Sequence, residues 1–418
     1  MIRVKNKKTH VFMLVLLLIL GIGFAALAAT LKINGTITID SAKWDVHFEN
    51  VEVAQGSVTA TTVPTSDDAT TTEMTYAVNF TKPGDFYEFT VDMANDGTID
   101  AMVNLVTNKV YSSDGETEKQ LPAYLKSTVT YVDGVSILPN QLLAKQTSEK
   151  IKVRVEFRTD VDASELPSTN ETTVFKFSST FKQADETSCQ RPTTFANDSW
   201  ETIACNVKQN PASYAVGEEK ELVIDNYTYH IRVINNTTPN ECKNEDFSQT
   251  ACGFVVEFKE LLSSTYYMSG IQTSIGGWPE SDMRKYLNDK SSGFYNKLVE
   301  KIGDIIIDTK VVSGHANEDN NSNHVSTDKL YIVSTKEVGL NVEYDSLKNE
   351  TRILDFYLNK PNSFREKKLI TGNLSTYWWT RSPKSTTEYH YYYISYDGSY
   401  WEETASYSAG VSPTFRIG

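Results

Sequence analysis

Between residues 85 and 181 apolar side chains recur at every second position, and this alternation constrains the fold more than any other feature of the chain. Tyr87, Phe89, Val91 and Met93 form one set. Ile151, Val153, Val155 and Phe157 form another, and Val174, Phe175, Phe177 and Phe181 follow. In extended backbone successive side chains point to opposite faces, so each set predicts a strand with one buried face. The pattern also covers Ile33, Ile37 and Ile39, then Trp44, Val46 and Phe48. Turn signals fall between the sets at Asn34-Gly35, Pro83-Gly84-Asp85, Asp96-Gly97 and Asp133-Gly134.

Many short strands with regular turns and few helical periods predict an all-β antiparallel sandwich over residues 30–185, with immunoglobulin-like topology as the default. Residues 58–72, rich in Thr, Ser and Asp, cannot bury enough apolar surface to order themselves and are expected as a long exposed loop. A polar stretch at 186–192 is expected to link the sandwich to a second domain, residues 193–418.

That second domain has mixed texture and is expected to be α+β. Residues 221–234 predict a hairpin turning at Asp225-Asn226, and residues 252–258 a further strand. Ser281 is the expected N-cap of a helix with Met283, Tyr286 and Leu287 on one face. Phe294, Leu298, Ile302 and Ile305 carry a second helical period, and the chain closes as strands forming a small twisted sheet.

Arg3, Lys5, Lys7 and Lys8 stand before an uncharged apolar run at 11–29 that holds an Ala26-Leu27-Ala28 cleavage pattern, so residues 1–29 are expected to be an export signal. An uncleaved segment would instead anchor the chain in the membrane. Either way the rest is expected outside the cell, released, surface-bound or membrane-anchored. The net charge of -14 repels phosphate backbones and argues against a nucleic-acid partner. Four cysteines, Cys189, Cys205, Cys242 and Cys252, are an even number in an exported chain, so disulfides are expected. Three pairings are possible, and joining nearest neighbours needs the least rearrangement.

Residues 29–51 and 82–103 resemble the exported camelysin and TasA family of Gram-positive surface proteins. The resemblance implies a sandwich whose strand opens at Lys82-Pro83-Gly84-Asp85, with members building matrix fibres or decorating cell surfaces, and some described as metallopeptidases. The second half resembles a recurrent domain of unknown function on Gram-positive surface proteins, through Gly276-Gly277-Trp278, residues 281–287, residues 378–383 and the closing residues 410–417. Its order of elements is also similar to C-type-lectin-like and formylglycine-enzyme-like folds.

Catalysis is not expected. A zinc peptidase of the H-E-x-x-H type needs two histidines one helical turn apart, and His10, His47, His230, His315, His324 and His390 are scattered. No G-x-S-x-G is present, and no cysteine follows Cys252. The loop 314–326 offers His315, Glu318, Asp319 and His324, but lacks EF-hand spacing, so no metal and no cofactor is expected.

Ten aromatic residues crowd into residues 377–401. Trp378 and Trp379 are expected in the core, and Arg381 and Arg416 in structural contacts at strand ends. Tyr396, Tyr400 and Trp401, around the Asp397-Gly398 turn, are the candidate binding residues. The expected function is a non-catalytic cell-surface or matrix binding protein that recognises an extracellular glycan or protein. The alternatives are self-association of the sandwich into fibres, and a secreted camelysin-like metallopeptidase.

Overall fold

The computed structural model describes residues 42–64, 72–167, 172–319 and 322–418. The expected leader, the alternation at Ile33, Ile37 and Ile39, and the Asn34-Gly35 turn lie outside the described residues.

Among the described residues ten strands precede residue 185: β1 (Val46–Gly56), β2 (Ala60–Thr62), β3 (Glu73–Val78), β4 (Phe86–Asn95), β5 (Ala101–Tyr111), β6 (Glu118–Lys119), β7 (Leu125–Tyr131), β8 (Leu142–Leu143), β9 (Thr147–Phe157) and β10 (Thr173–Gln183). They form two antiparallel sheets, ordered β1-β4-β9-β7 and β2-β3-β10-β5-β6, with β8 also on β5. The sets at 87–93 and 151–157 lie where one buried face requires them, whereas Trp44, expected to alternate with Val46 and Phe48, precedes β1 and is exposed. Tyr87, Phe89 and Val91 pair with Val155, Val153 and Ile151 across β4 and β9, and all six are buried. Between the sheets Phe48 stacks on Phe177 at 5.0 Å, and Phe89 meets Tyr76 edge-on at 5.2 Å. Each ring removed from water contributes about 1.5–3 kcal/mol.

The turn before β4 shows how Pro83-Gly84-Asp85 opens a strand. Gly84 takes φ +92°, and buried Asp85 accepts hydrogen bonds from Thr81 N, Thr81 Oγ1, Lys82 N and Ser57 Oγ at 2.7–3.2 Å. Burial alone would raise the Asp85 pKa, but these donors hold it below the usual aspartate value.

Two polar segments are more ordered than their composition suggested. Within the expected loop 58–72, Ala60–Thr62 is a strand paired with β3. An edge strand has one partner and needs no apolar face, so composition alone misses it, while residues 65–71 lie outside the description. The 186–192 segment lies along the sandwich: Cys189 N donates to Asn140 O, Leu142 N donates to Cys189 O, and both bonds measure 2.8 Å. Arg191 pairs with Glu149 at 2.8 Å and with Asp133, and its guanidinium sits 3.9 Å over Tyr131.

Beyond residue 193 a second hydrophobic cluster, separate from the sandwich core, gathers 195–417. Its strands are β11 (Glu219–Ile224), β12 (Tyr227–Asn235), β13 (Val255–Phe258), β14 (Thr309–Ser313), β15 (His324–Asp328), β16 (Trp378–Pro383), β17 (His390–Ile394), β18 (Tyr400–Thr404) and β19 (Thr414–Arg416). They make sheets ordered β11-β12-β13-β19, β14-β15 and β16-β17-β18. The β11–β12 hairpin turns at Asp225-Asn226 as expected, with both residues left-handed at φ +50° and +67°.

Among the described residues the α-helices are α1 (Trp200–Gln209), α2 (Gly277–Glu280), α3 (Asp282–Asn288) and α4 (Phe294–Ile302). Ser281 caps α3 by accepting from Arg284 N at 3.1 Å. Helix α4 stops at Ile302 rather than reaching Ile305, because Gly303 leaves the helix at φ +76°. Helix α1 had a signal that strand texture masked: Ser199 caps it, and Ile203 and Val207, four apart, are buried. Both disulfides join nearest neighbours, Cys189 to Cys205 and Cys242 to Cys252. The first ties the segment on the sandwich to helix α1.

Candidate functional site

The small sheet β16-β17-β18 divides the aromatic cluster between two faces. Register sets Trp379 opposite Tyr393 and Tyr393 opposite Trp401, so these three share one face. Trp378, Ile394 and Tyr400 are matched in the same way on the other. Tyr400 and Trp401, adjacent in β18, therefore point in opposite directions.

The first face is anchored by a buried tryptophan and widens into exposed rings. Trp379 is fully buried, and its indole N–H donates to Tyr266 O at 2.9 Å. Tyr393 meets Trp379 edge-on at 6.0 Å, Tyr377 at 5.3 Å and Tyr407 in a stack at 6.4 Å. Tyr377 in turn meets Tyr396 at 5.9 Å. Trp401 is 62% exposed and Tyr396 57% exposed. Rings held by ring neighbours lose little freedom on meeting a partner, which suits a binding surface.

On the second face Tyr400 rests 6.0 Å from Tyr392, and Tyr392 and Trp378 are buried. Trp378 donates to Arg365 O at 2.9 Å and lies 5.3 Å beneath the Lys367 ammonium. Of the three candidate residues, the structure thus brings Tyr396 toward the Tyr393 and Trp401 face and sets Tyr400 apart. Half-buried Tyr377 and Tyr393 and exposed Tyr407 complete the set. Tyr377 and Tyr393 belonged to the crowded stretch, whereas Tyr407 arrives through the turn after β18.

Arg365 positions the turn that carries Tyr396. Its Nε donates to Gly398 O at 2.9 Å and its Nη1 to Val338 O at 3.1 Å, while Nη2 bonds the Asn362 side chain. Gly398 sits at φ +73°, and a Cβ there would strike the Asn362 backbone. The Gly276-Gly277-Trp278 motif is explained likewise. Gly277, at φ +55°, leaves no room for a Cβ against Gly314 O, and Trp278 donates to Asp328 at 2.9 Å. Asp328 also accepts from Arg284 at 2.7 Å.

Arg381 has a structural role, as expected: it is fully buried, holds Glu337 and reaches the carbonyls of Val312 and Ile332. Arg416 is half-buried and forms no ion pair among the described residues, its Nε lacks a hydrogen-bond partner, and burial lowers its pKa. The second buried charge centre is Glu257, held by Arg232, Lys367 and Tyr357. Burial lowers the Lys367 pKa to about 8, against the pull of Glu257.

The described histidines do not converge. His47 contacts Asp45 at 3.1 Å, His230 contacts Glu260 at 3.0 Å, and His324 contacts Glu318 at 2.8 Å, each in a different part of the chain. Among the described residues no three His, Cys, Asp or Glu side chains are placed to hold a metal ion, and no helix is long and apolar enough to cross a membrane.

Residues 259–418 match the family model of a domain of unknown function, DUF6273. The match runs from the end of β13 to the end of the chain and contains the aromatic sheet. No curated protein and no solved structure matches the chain. Two disulfides are compatible with an extracellular location.

Proposed function

We propose that the protein acts outside the cell as a non-catalytic binding protein, with the sandwich as a stalk and the C-terminal domain as the part that recognises an extracellular glycan or protein. The observation that carries this reading is the aromatic face of β16-β17-β18, where Tyr396 and Trp401 are exposed beside Tyr377, Tyr393 and Tyr407 while Trp379 is fixed beneath them. The leader sequence and the oxidised cysteines support the location, on a Gram-positive surface or in its matrix, whether the leader is cleaved or kept as an anchor. An immunoglobulin-like arrangement of the sandwich and a lectin-like arrangement of the second half fit the same reading.

A glycan array and a pull-down with the disulfide-intact chain test it. Trp401→Ala and Tyr396→Ala should abolish capture without altering thermal stability, and an unchanged capture profile in both variants would remove the proposed face.

The fibre reading draws on β1, an edge strand with β4 as its neighbour. Its register breaks twice, between Glu49 and Glu52 and between Glu52 and Gln55, and such bulges blunt an edge against strand addition. Unchanged monomers by electron microscopy after leader removal would dispose of this alternative.

A further inference from the structure

We propose that the open edge of β18 docks an extended peptide segment bearing lysine or arginine, which adds a fourth strand to β16-β17-β18; this rests on the recognition function proposed above and makes its ligand a protein. The sheet ends at β18, which has β17 as its neighbour and joins no further bridge among the described residues. The strand keeps one register throughout, from Tyr400 opposite Ile394 to Thr404 opposite His390. The edge strand β1 instead breaks register twice, and such bulges protect an edge against strand addition.

Main-chain geometry leaves part of this edge unpaired. Bonds to β17 flank the strand at odd-numbered positions: Ser399 O accepts from Ser395 N and Ala405 N donates to Tyr389 O, both at 2.7 Å. Antiparallel pairs alternate, so Trp401 and Glu403 turn their main chain toward β17, while Tyr400, Glu402 and Thr404 turn theirs outward. Thr404 is satisfied locally, its N–H on Glu403 Oε1 and its carbonyl on Tyr407 N, both at 2.9 Å. The N–H and C=O groups of Tyr400 and Glu402 form no hydrogen bond among the described residues. Two donors and two acceptors on alternate residues are what an added strand pairs with.

The side chains select the class of segment. No side chain of β18 is buried. Trp401 and Glu403 share one face, and Glu403 has no ion pair among the described residues. An exposed indole beside an unpaired carboxylate suits a lysine or arginine, since the ring face attracts the cation and the carboxylate accepts its hydrogen bonds. On the other face Glu402 stands beside Tyr400 and already holds Lys384 at 2.7 Å. The partner's cations therefore belong on the Trp401 face. The net charge of -14 draws a basic segment and opposes a second copy of this chain.

Isothermal titration calorimetry and hydrogen exchange on the disulfide-intact chain test the docking, with the capped hexapeptide Lys-Val-Lys-Val-Lys-Val as probe. It should bind and slow amide exchange over residues 398–404, and the same peptide with Glu for Lys should not bind. Glu402→Pro removes the outward N–H and leaves the bonds to β17 in place, so it should bind the probe about tenfold more weakly than Glu402→Ala, with similar melting temperatures. Equal binding by these two variants, or unslowed exchange, would overturn strand pairing and leave the surface reading standing. No binding of the lysine peptide, with a glycan captured through Trp401, would likewise overturn the docking site while sparing recognition. A dimer lost in Trp401→Ala would assign the edge to a second copy instead. No capture of any kind through Trp401 would bring down the recognition function itself.

Discussion

Arg381 and Glu337 face each other as a two-pronged ion pair with no solvent contact, Nη1 to Oε2 and Nη2 to Oε1 both at 2.5 Å. Thr250 and Thr351 hydroxyls also donate to Glu337 Oε1, the latter at 2.8 Å, and Ser334 N donates to Oε2 at 3.0 Å. One centre therefore joins β16, the loops after β15 and the segment before β13. Replacing either partner alone strands a buried charge, which costs about 3–5 kcal/mol. Thermal denaturation of Arg381→Met and Glu337→Leu should show each far less stable than the double replacement. Equal loss in all three would mean the pair is not the unit of stability.

Acid should find the same centre. Burial opposes the charge on Glu337 and Glu257, yet their cationic partners hold both below the ordinary glutamate value of 4.5. A folded-state pKa beneath the unfolded one gives stability that is complete above about 4.5 and is lost as pH falls through the folded value. Asp345 has the opposite sign, since burial raises its pKa and its contribution shrinks as pH climbs above 3.8. Melting temperature should drop steeply on acidification from the neutral range to below 4.5, and Glu337→Gln, less stable at neutral pH, should show a shallower fall.

The Cys189–Cys205 bridge closes 16 residues and fastens the sandwich-bound segment to helix α1. Its removal should cost about 3 kcal/mol by the chain-entropy argument. With two separate cores and the Arg191 contacts left at the joint, small-angle X-ray scattering of Cys189→Ser/Cys205→Ser should show a larger radius of gyration. An unchanged profile would mean that Arg191, Asp133 and Glu149 suffice.

Gly398→Ala should disturb the turn that carries Tyr396. Its φ of +73° disfavours a side chain, and the added Cβ would press on Asn362, whose amide oxygen binds Arg365. The expected loss is about 1–3 kcal/mol with weakened ligand capture, read by calorimetry and pull-down together.

Trp401→Ala and Tyr396→Ala remove exposed rings and should shift stability by no more than about 0.5 kcal/mol, measured by urea unfolding. A larger loss in Trp401→Ala would assign that ring to packing and argue against the proposed face.

Local rules made part of this legible in advance. Tyr87, Phe89, Val91 and Met93 announce a half-buried strand because the period of two is a property of extended backbone, independent of what the strand meets. Asp225-Asn226 announces a hairpin because few residues tolerate left-handed φ, and Ser281 announces a helix start because its side chain can satisfy an otherwise unpaired N–H.

The sequence by itself determined the strand-rich texture, the turns, the cap at Ser281 and the choice of Trp378 and Trp379 for the core. Only the tertiary structure decided that Tyr400 and Trp401 part company, because cross-strand register and not sequence adjacency assigns each ring to a face. It alone matched Arg381 with Glu337, 44 positions away, and selected one of three cysteine pairings. The physical reason is range: backbone periodicity and turn preference act within a few residues, whereas ion pairing, disulfide geometry and shared faces depend on which distant segments the folded chain brings together.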